Sequence, residues 1–148
     1  MLTLTRRIGE TIYVGDDTCI TVYDRLRYHV LLGVLAPVHA DVRFGESSLR
    51  PAILPSGERF YLLTMLSQDA FEVDDVRVFI AFRPTFLNAA LVRTRQLKIS
   101  IEAPASVPIF REEIYIERLK EQGACRPLVP FSTWLHRANL AISGRMVA

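Results

Sequence analysis

Residues 1–23 read Met1-Leu-Thr-Leu-Thr-Arg-Arg-Ile-Gly-Glu10-Thr-Ile-Tyr-Val-Gly15-Asp-Asp-Thr-Cys-Ile20-Thr-Val-Tyr23. Residues 2–7 alternate apolar and polar, the signature of a strand with one face buried. Gly9-Glu10 marks a turn, and residues 11–14 form a second short strand stopped by Gly15-Asp16-Asp17. Residues 19–23, rich in β-branched and aromatic side chains, form a third. Outward from this stretch, residues 28–35 make a fourth strand closed by Ala36-Pro37, and residues 41–44 a shorter fifth. Strands at roughly ten-residue spacing with turn signals between them predict an antiparallel sheet. A sheet this small cannot bury both faces alone and needs a second sheet against it.

The same pattern recurs. Strands are expected at 60–66, 70–73, 76–82, 96–102 and 107–110, with Asp74-Asp75 as the turn matching Asp16-Asp17. Thr64 lies 59 positions after Thr5, and Pro104 lies 67 after Pro37, so the second copy has gained residues between its third and fourth strands. The gain falls in 83–95, where Thr85-Phe-Leu-Asn-Ala-Ala-Leu91 suits a helical turn or two. The chain therefore divides into a first repeat (1–46), a Pro- and Ser-rich linker (47–58), and a second repeat (59–122) carrying the 83–95 insertion. A tail (123–148) follows. Pro51 and Pro55 suit an extended linker. Glu112-Glu113 followed by Ile114, Tyr115 and Leu119 and ended by Gly123 mark a helix, and Ser132 can cap a short one over 132–142. A repeat of this size is what one chain would carry in place of a dimer.

Composition excludes several classes. Of the 148 residues, 50% are hydrophobic, enough for a real core, and the net charge is +2, so any nucleic-acid contact must come from a local patch. Cys19 and Cys125 have no metal or disulfide-framework spacing, and Cys19 reads as a buried reduced thiol. His29, His39 and His136 show neither metal spacing nor a nucleophile motif, and the chain has no P-loop or Gly-x-Gly-x-x-Gly run, so neither an enzyme, a metal nor a cofactor is expected. No apolar run is long enough to span a bilayer, and a reducing cytoplasm is the expected setting.

Three stretches carry a resemblance. Leu2-Thr-Leu-Thr-Arg-Arg-Ile-Gly-Glu-Thr11, Gly33-Val-Leu-Ala-Pro37 and Val107-Pro-Ile-Phe-Arg-Glu-Glu-Ile-Tyr115 are similar to the opening strand, the fourth-strand ending and the fifth strand with helix start of the carbon storage regulator family (CsrA/RsmA). The first copy covers 1–46 without a gap, and the second, more divergent, covers about 60–122. The resemblance implies a mainly β fold, an intertwined antiparallel β-sandwich of two five-stranded units, here a single-chain pseudo-dimer with one or two C-terminal helices. It implies a post-transcriptional regulator, usually a repressor of translation, that binds GGA-containing single-stranded or loop segments of mRNA or small regulatory RNA.

Each site of that family is composite, built from the first strand of one unit and the fifth strand of the other. Its positions fall here on Leu4, Arg6 and Arg7 with Ile109 and Arg111. The second site falls on Leu63, Met65 and Leu66 with Val42 and Phe44 and has lost every arginine; Arg43 points to the opposite face. One working RNA site and one inactive site are therefore expected. Two alternatives stay open: a regulator that has lost RNA binding and serves as a protein-interaction module, through its tail or an apolar Met65–Leu66–Phe44 patch, and strand exchange into a higher oligomer.

Overall fold

The computed structural model describes residues 1–45, 47–83, 88, 91–92 and 95–121. The helical turn expected within the insertion falls largely outside them, although the Val92 N–H donates to the Asn88 carbonyl at 3.0 Å. The helix expected over 132–142 lies outside them entirely.

The fold is mainly β. Its strands are β1 (Leu2–Arg6), β2 (Thr11–Val14), β3 (Thr18–Arg25), β4 (Val30–Ala36), β5 (Val42–Phe44), β6 (Ser47–Ser48), β7 (Ala52–Ile53), β8 (Arg59–Met65), β9 (Ala70–Val73), β10 (Val76–Ala81), β11 (Leu97–Glu102) and β12 (Ile109–Arg111). One helix, α1 (Glu112–Glu121), follows. They form two antiparallel six-stranded sheets, ordered β1-β11-β10-β9-β5-β6 and β12-β2-β3-β4-β8-β7.

Each sheet has three consecutive strands at its centre, β9–β11 in one and β2–β4 in the other, and takes its flanking strands from elsewhere in the chain. The pairing recurs between the sheets residue for residue. Leu4 faces Ile99 and Arg6 faces Leu97 in one; Leu63 faces Leu32 and Met65 faces Val30 in the other. Ile109 faces Val14 and Arg111 faces Ile12; Val42 faces Val73 and Phe44 faces Phe71. Even the turns correspond. Gly9 and Gln68 both adopt positive φ, at 85° and 77°. Glu10 accepts the Arg7 N–H at 2.8 Å, and Asp69 accepts the Leu66 N–H at 2.9 Å.

Alternation decides what fills the space between the sheets. Ile12, Ile20, Val22, Val30, Leu32, Leu63 and Met65 from one sheet meet Phe71, Val78, Ile80, Leu97, Ile99 and Ile101 from the other in one buried cluster. Burying such side chains contributes about 1.5–3 kcal/mol each.

The 47–58 segment does more than link. β6 adds to β5 at one sheet's edge and β7 adds to β8 at the other's, with residues 49–51 crossing between them and Leu49 packed on the core. Ala52 and Leu54 then form a second small core with Leu35 and Phe60. Phe60 lies over Gly33, where an added Cβ would come within 3.0 Å of its ring. Leu54 is 3% exposed, so Leu54→Ala is expected to cost about 2–4 kcal/mol in a urea melt. A change below about 0.5 kcal/mol would mean that this segment does not hold the edge.

Candidate functional site

The sandwich is therefore closed along one side and open along the other. On the open side β1 and β12 are the edge strands of opposite sheets, and no ladder hydrogen bonds join them to each other. A cleft of about 340 Å³ runs between their starts, lined by Leu2, Ile101, Val107 and Ile109 among others.

Strand register places the predicted residues. Leu4 and Arg6 share the inward face of β1, and Ile109 and Arg111 share the face of β12 that lies opposite buried Val14 and Ile12. Leu4 and Ile109 are half-buried against the core. Arg7 stands one residue beyond β1, with its side chain exposed, and Arg111 is exposed as well.

Arg6 behaves differently from its two neighbours. It is 4% exposed, and its guanidinium lies 3.6 Å from Glu10 and 3.4 Å from Glu113, while Nε donates to the Thr5 carbonyl at 2.9 Å. Glu113 sits in the first turn of α1, where the helix dipole favours a carboxylate. Arg6 thus joins the end of β1 to the start of α1, immediately after Arg111. Its charge is engaged there, and Arg7 and Arg111 are the exposed cations on either side.

The helix is anchored in turn. Tyr115 stacks on Tyr13 of β2 with ring centroids 4.1 Å apart, and Arg118 lies over the Phe110 ring at 4.5 Å. Desolvation raises the Tyr13 hydroxyl pKa well above its ordinary value, and burial pushes the nearby Cys19 thiol up to about 12. Cys19, expected to be a buried reduced thiol, is a free cysteine and half-buried.

Desolvation pushes the Glu113 carboxyl up, but its own backbone N–H, the Arg6 hydrogen bond and the charges of Arg6 and Arg111 hold it below its ordinary value. A depressed folded-state pKa contributes stability that is complete above the unfolded value and fades as pH falls through the folded one. The Arg6–Glu113 contact is therefore expected to persist to below about pH 4.3. A carboxyl-detected NMR titration of Glu113 checks this, and a midpoint at or above that value would contradict it.

At the matching register positions on the closed side three of the five side chains are core. Leu63 is 2% exposed and Met65 0%, Val42 is buried, and Phe44 packs beside Phe71. Leu66 is exposed, but with Met65 buried no continuous apolar patch of Met65, Leu66 and Phe44 exists. Arg43 lies on the outer face, bonded to Glu72 at 2.8 Å and Asp41 at 3.3 Å. Among the described residues no cluster of His, Cys, Asp and Glu could hold a metal, and no helix is long and apolar enough to cross a membrane.

The comparisons with known proteins bear on the first third of this sandwich, which carries β1 and its arginines. The CsrA profile, described as a global regulator protein family, matches residues 1–46. The translational regulator CsrA of Hydrogenovibrio crunogenus is 42% identical over 50 residues, 34% of this chain and 71% of that protein. No solved structure gives a significant match. The chain belongs to the CsrA family, one of regulators and not of enzymes.

Proposed function

We propose that this chain is a post-transcriptional regulator with one RNA site, formed by Leu4, Arg6 and Arg7 of the first repeat with Ile109 and Arg111 of the second. In this reading residues 1–46 and 59–122 are two copies of one family unit joined by 47–58. The chain is then a monomeric pseudo-dimer. The recurring strand register supports it. The ligand is a single-stranded or loop segment of mRNA or small regulatory RNA containing GGA. Its occupation modulates translation or message stability.

One observation carries the reading: the Arg6–Glu113 ion pair at 3.4 Å draws the end of β1 to the end of β12 and leaves Arg7 and Arg111 exposed on both flanks. Among the described residues neither side chain forms an ion pair with a carboxylate. Arginine offers a rigid donor fork that matches guanine O6 and N7 or phosphate oxygens. An unpaired loop presents those base edges, whereas an A-form duplex hides them in its deep major groove. Opposite, the same positions are apolar and β5 and β8 are covered by β6 and β7, which supports a single RNA site.

The test is a titration with a short hairpin bearing GGA in its loop, with stoichiometry measured. One RNA per chain, lost on scrambling GGA, is expected. Two RNAs per chain would contradict the single site. No binding at all would turn the reading to the protein-interaction module, reached through residues 123–148.

A further inference from the structure

The 83–95 insertion, like the tail, has no counterpart in the short family unit, and its ends are fixed beside the proposed site. Arg25, at the end of β3, is 4% exposed. Its Nη1 donates to the Gln96 carbonyl at 2.6 Å and its Nη2 to the Arg83 carbonyl at 3.4 Å. One guanidinium thus holds both ends of the segment together, with the Phe82 ring 5.4 Å below it. Its Nε is buried with no hydrogen-bond partner, and among the described residues no carboxylate pairs with this cation. Desolvation and the charge of Arg95 both lower its pKa, which places a second cation within electrostatic reach.

Those ends adjoin β1. Arg6 pairs with Leu97 and Thr5 with Lys98, so the antiparallel course brings Arg7 toward Gln96 and Arg95. Arg83, Arg95 and Lys98 are exposed and, among the described residues, none forms an ion pair with a carboxylate. The sequence has no acidic residue from 76 to 101. Acids on the flanking turns are already engaged: Glu10 with Arg6 and the Arg7 N–H, Asp69 with the Leu66 N–H. The other arginine on the outer face of this sheet near its far end, Arg77, lies 4.0 Å from Glu72 and stacks on Phe79. Unneutralised cations are therefore concentrated at the end of β1 and β11 that abuts Arg7.

Accepting the composite GGA site, we propose that Arg83, Arg95 and Lys98 form an extension of it that holds the phosphate backbone of single-stranded RNA flanking the GGA element. Lysine and arginine on a sheet end without base-reading partners suit phosphates, and such contacts are sequence-independent and salt-sensitive. The extension offsets the loss of the second site: affinity that a two-site regulator gains by bridging two elements comes here from a longer contact around one.

The experiment compares the full chain with its Arg83→Gln/Arg95→Gln/Lys98→Gln variant on two RNAs. One is the minimal GGA hairpin; the other is the same hairpin with unstructured uridine extensions on both ends. For the intact chain the extensions are expected to tighten binding about tenfold at low salt. The slope of log affinity against log salt should steepen by about 2, since three phosphate contacts contribute about 0.7 each. The variant should melt at the same temperature, bind the minimal hairpin as before and gain nothing from the extensions. An undiminished gain in the variant overturns the proposal, as does an equal loss on both RNAs. A hairpin that binds the intact chain with no gain from extensions overturns it while leaving the GGA site standing. Failure of the intact chain to bind either RNA removes the composite site, and the extension with it.

Discussion

Arg111→Ala is expected to lower affinity for a GGA hairpin by roughly 5- to 150-fold, the equivalent of about 1–3 kcal/mol for one bidentate contact. The argument rests on where β12 places this residue. It pairs with Ile12, is exposed, and immediately precedes the helix whose Glu113 is tied to Arg6. Its backbone is thus held at the open edge by a strand on one side and a helix start on the other, so little backbone ordering entropy is lost on binding. Arg7→Ala should fall in the same range. Arg43→Ala is the control: its guanidinium is held by Glu72 and Asp41 on the outer face, and affinity should not change. Filter-binding or calorimetric titration decides. If Arg111→Ala weakens GGA and scrambled loops equally, Arg111 contacts phosphate and reads no base. If it weakens neither, β12 is not part of the site.

Phe71→Ala is expected to cost about 3–5 kcal/mol in stability, the largest effect of a single truncation in this core. Phe71 is among the largest fully buried side chains, at 1% exposure, and sits opposite Phe44 on the closed side. Its counterpart at the open side is Ile12 opposite Arg111. Where the open side sets Arg111 opposite Ile12, the closed side sets Phe44 opposite Phe71. Arg6→Met, which copies Met65 onto the open side, should change stability by less than about 1 kcal/mol. Only the arginine of these pairs is buried; Glu10 and Glu113 are 42% and 59% exposed, so water can solvate both carboxylates once Arg6 is gone, and no buried charge is left unpaired. Chemical denaturation measures both. A cost below 1 kcal/mol for Phe71→Ala would mean that the closed side is not part of the main core. A cost above 3 kcal/mol for Arg6→Met would mean that the ion pair holds the fold and does not merely position the site.

Most strands were legible because alternation and turn chemistry agreed. The spans 11–14 and 70–73 match β2 and β9, and the helix expected from Glu112 begins there. Residues 28–29 do not join β4, which starts at Val30. β3 runs on to Arg25 because the register shifts between Val22 and Asp24 and pairing with β4 resumes, an irregularity with no composition cue. The last strand starts at Ile109 instead of 107: Pro108 has no N–H to give a ladder, and its carbonyl accepts the Gly15 N–H at 2.8 Å instead.

β6 and β7 were illegible. Two-residue strands have no period, and Pro51 and Pro55 argued for an unpaired run. The burial of Arg6 could have been read. Alternation puts it on the face of Leu4, away from Arg7, and the acids four residues on and at the helix start were both in view.

The interleaving of the two sheets has a consequence for how the chain is made. On a ribosome, β2, β3 and β4 can zip together as they emerge, but Leu2 must wait for Ile101 and Ile12 for Arg111. At about 5–20 residues per second, β1 spends some 5–20 s exposed with no partner strand. During that interval the alternating Leu2-Thr-Leu-Thr run is a free template for another chain's edge, and two nascent copies close together could pair crosswise. The moment of greatest risk for this molecule comes before its last strand is synthesised.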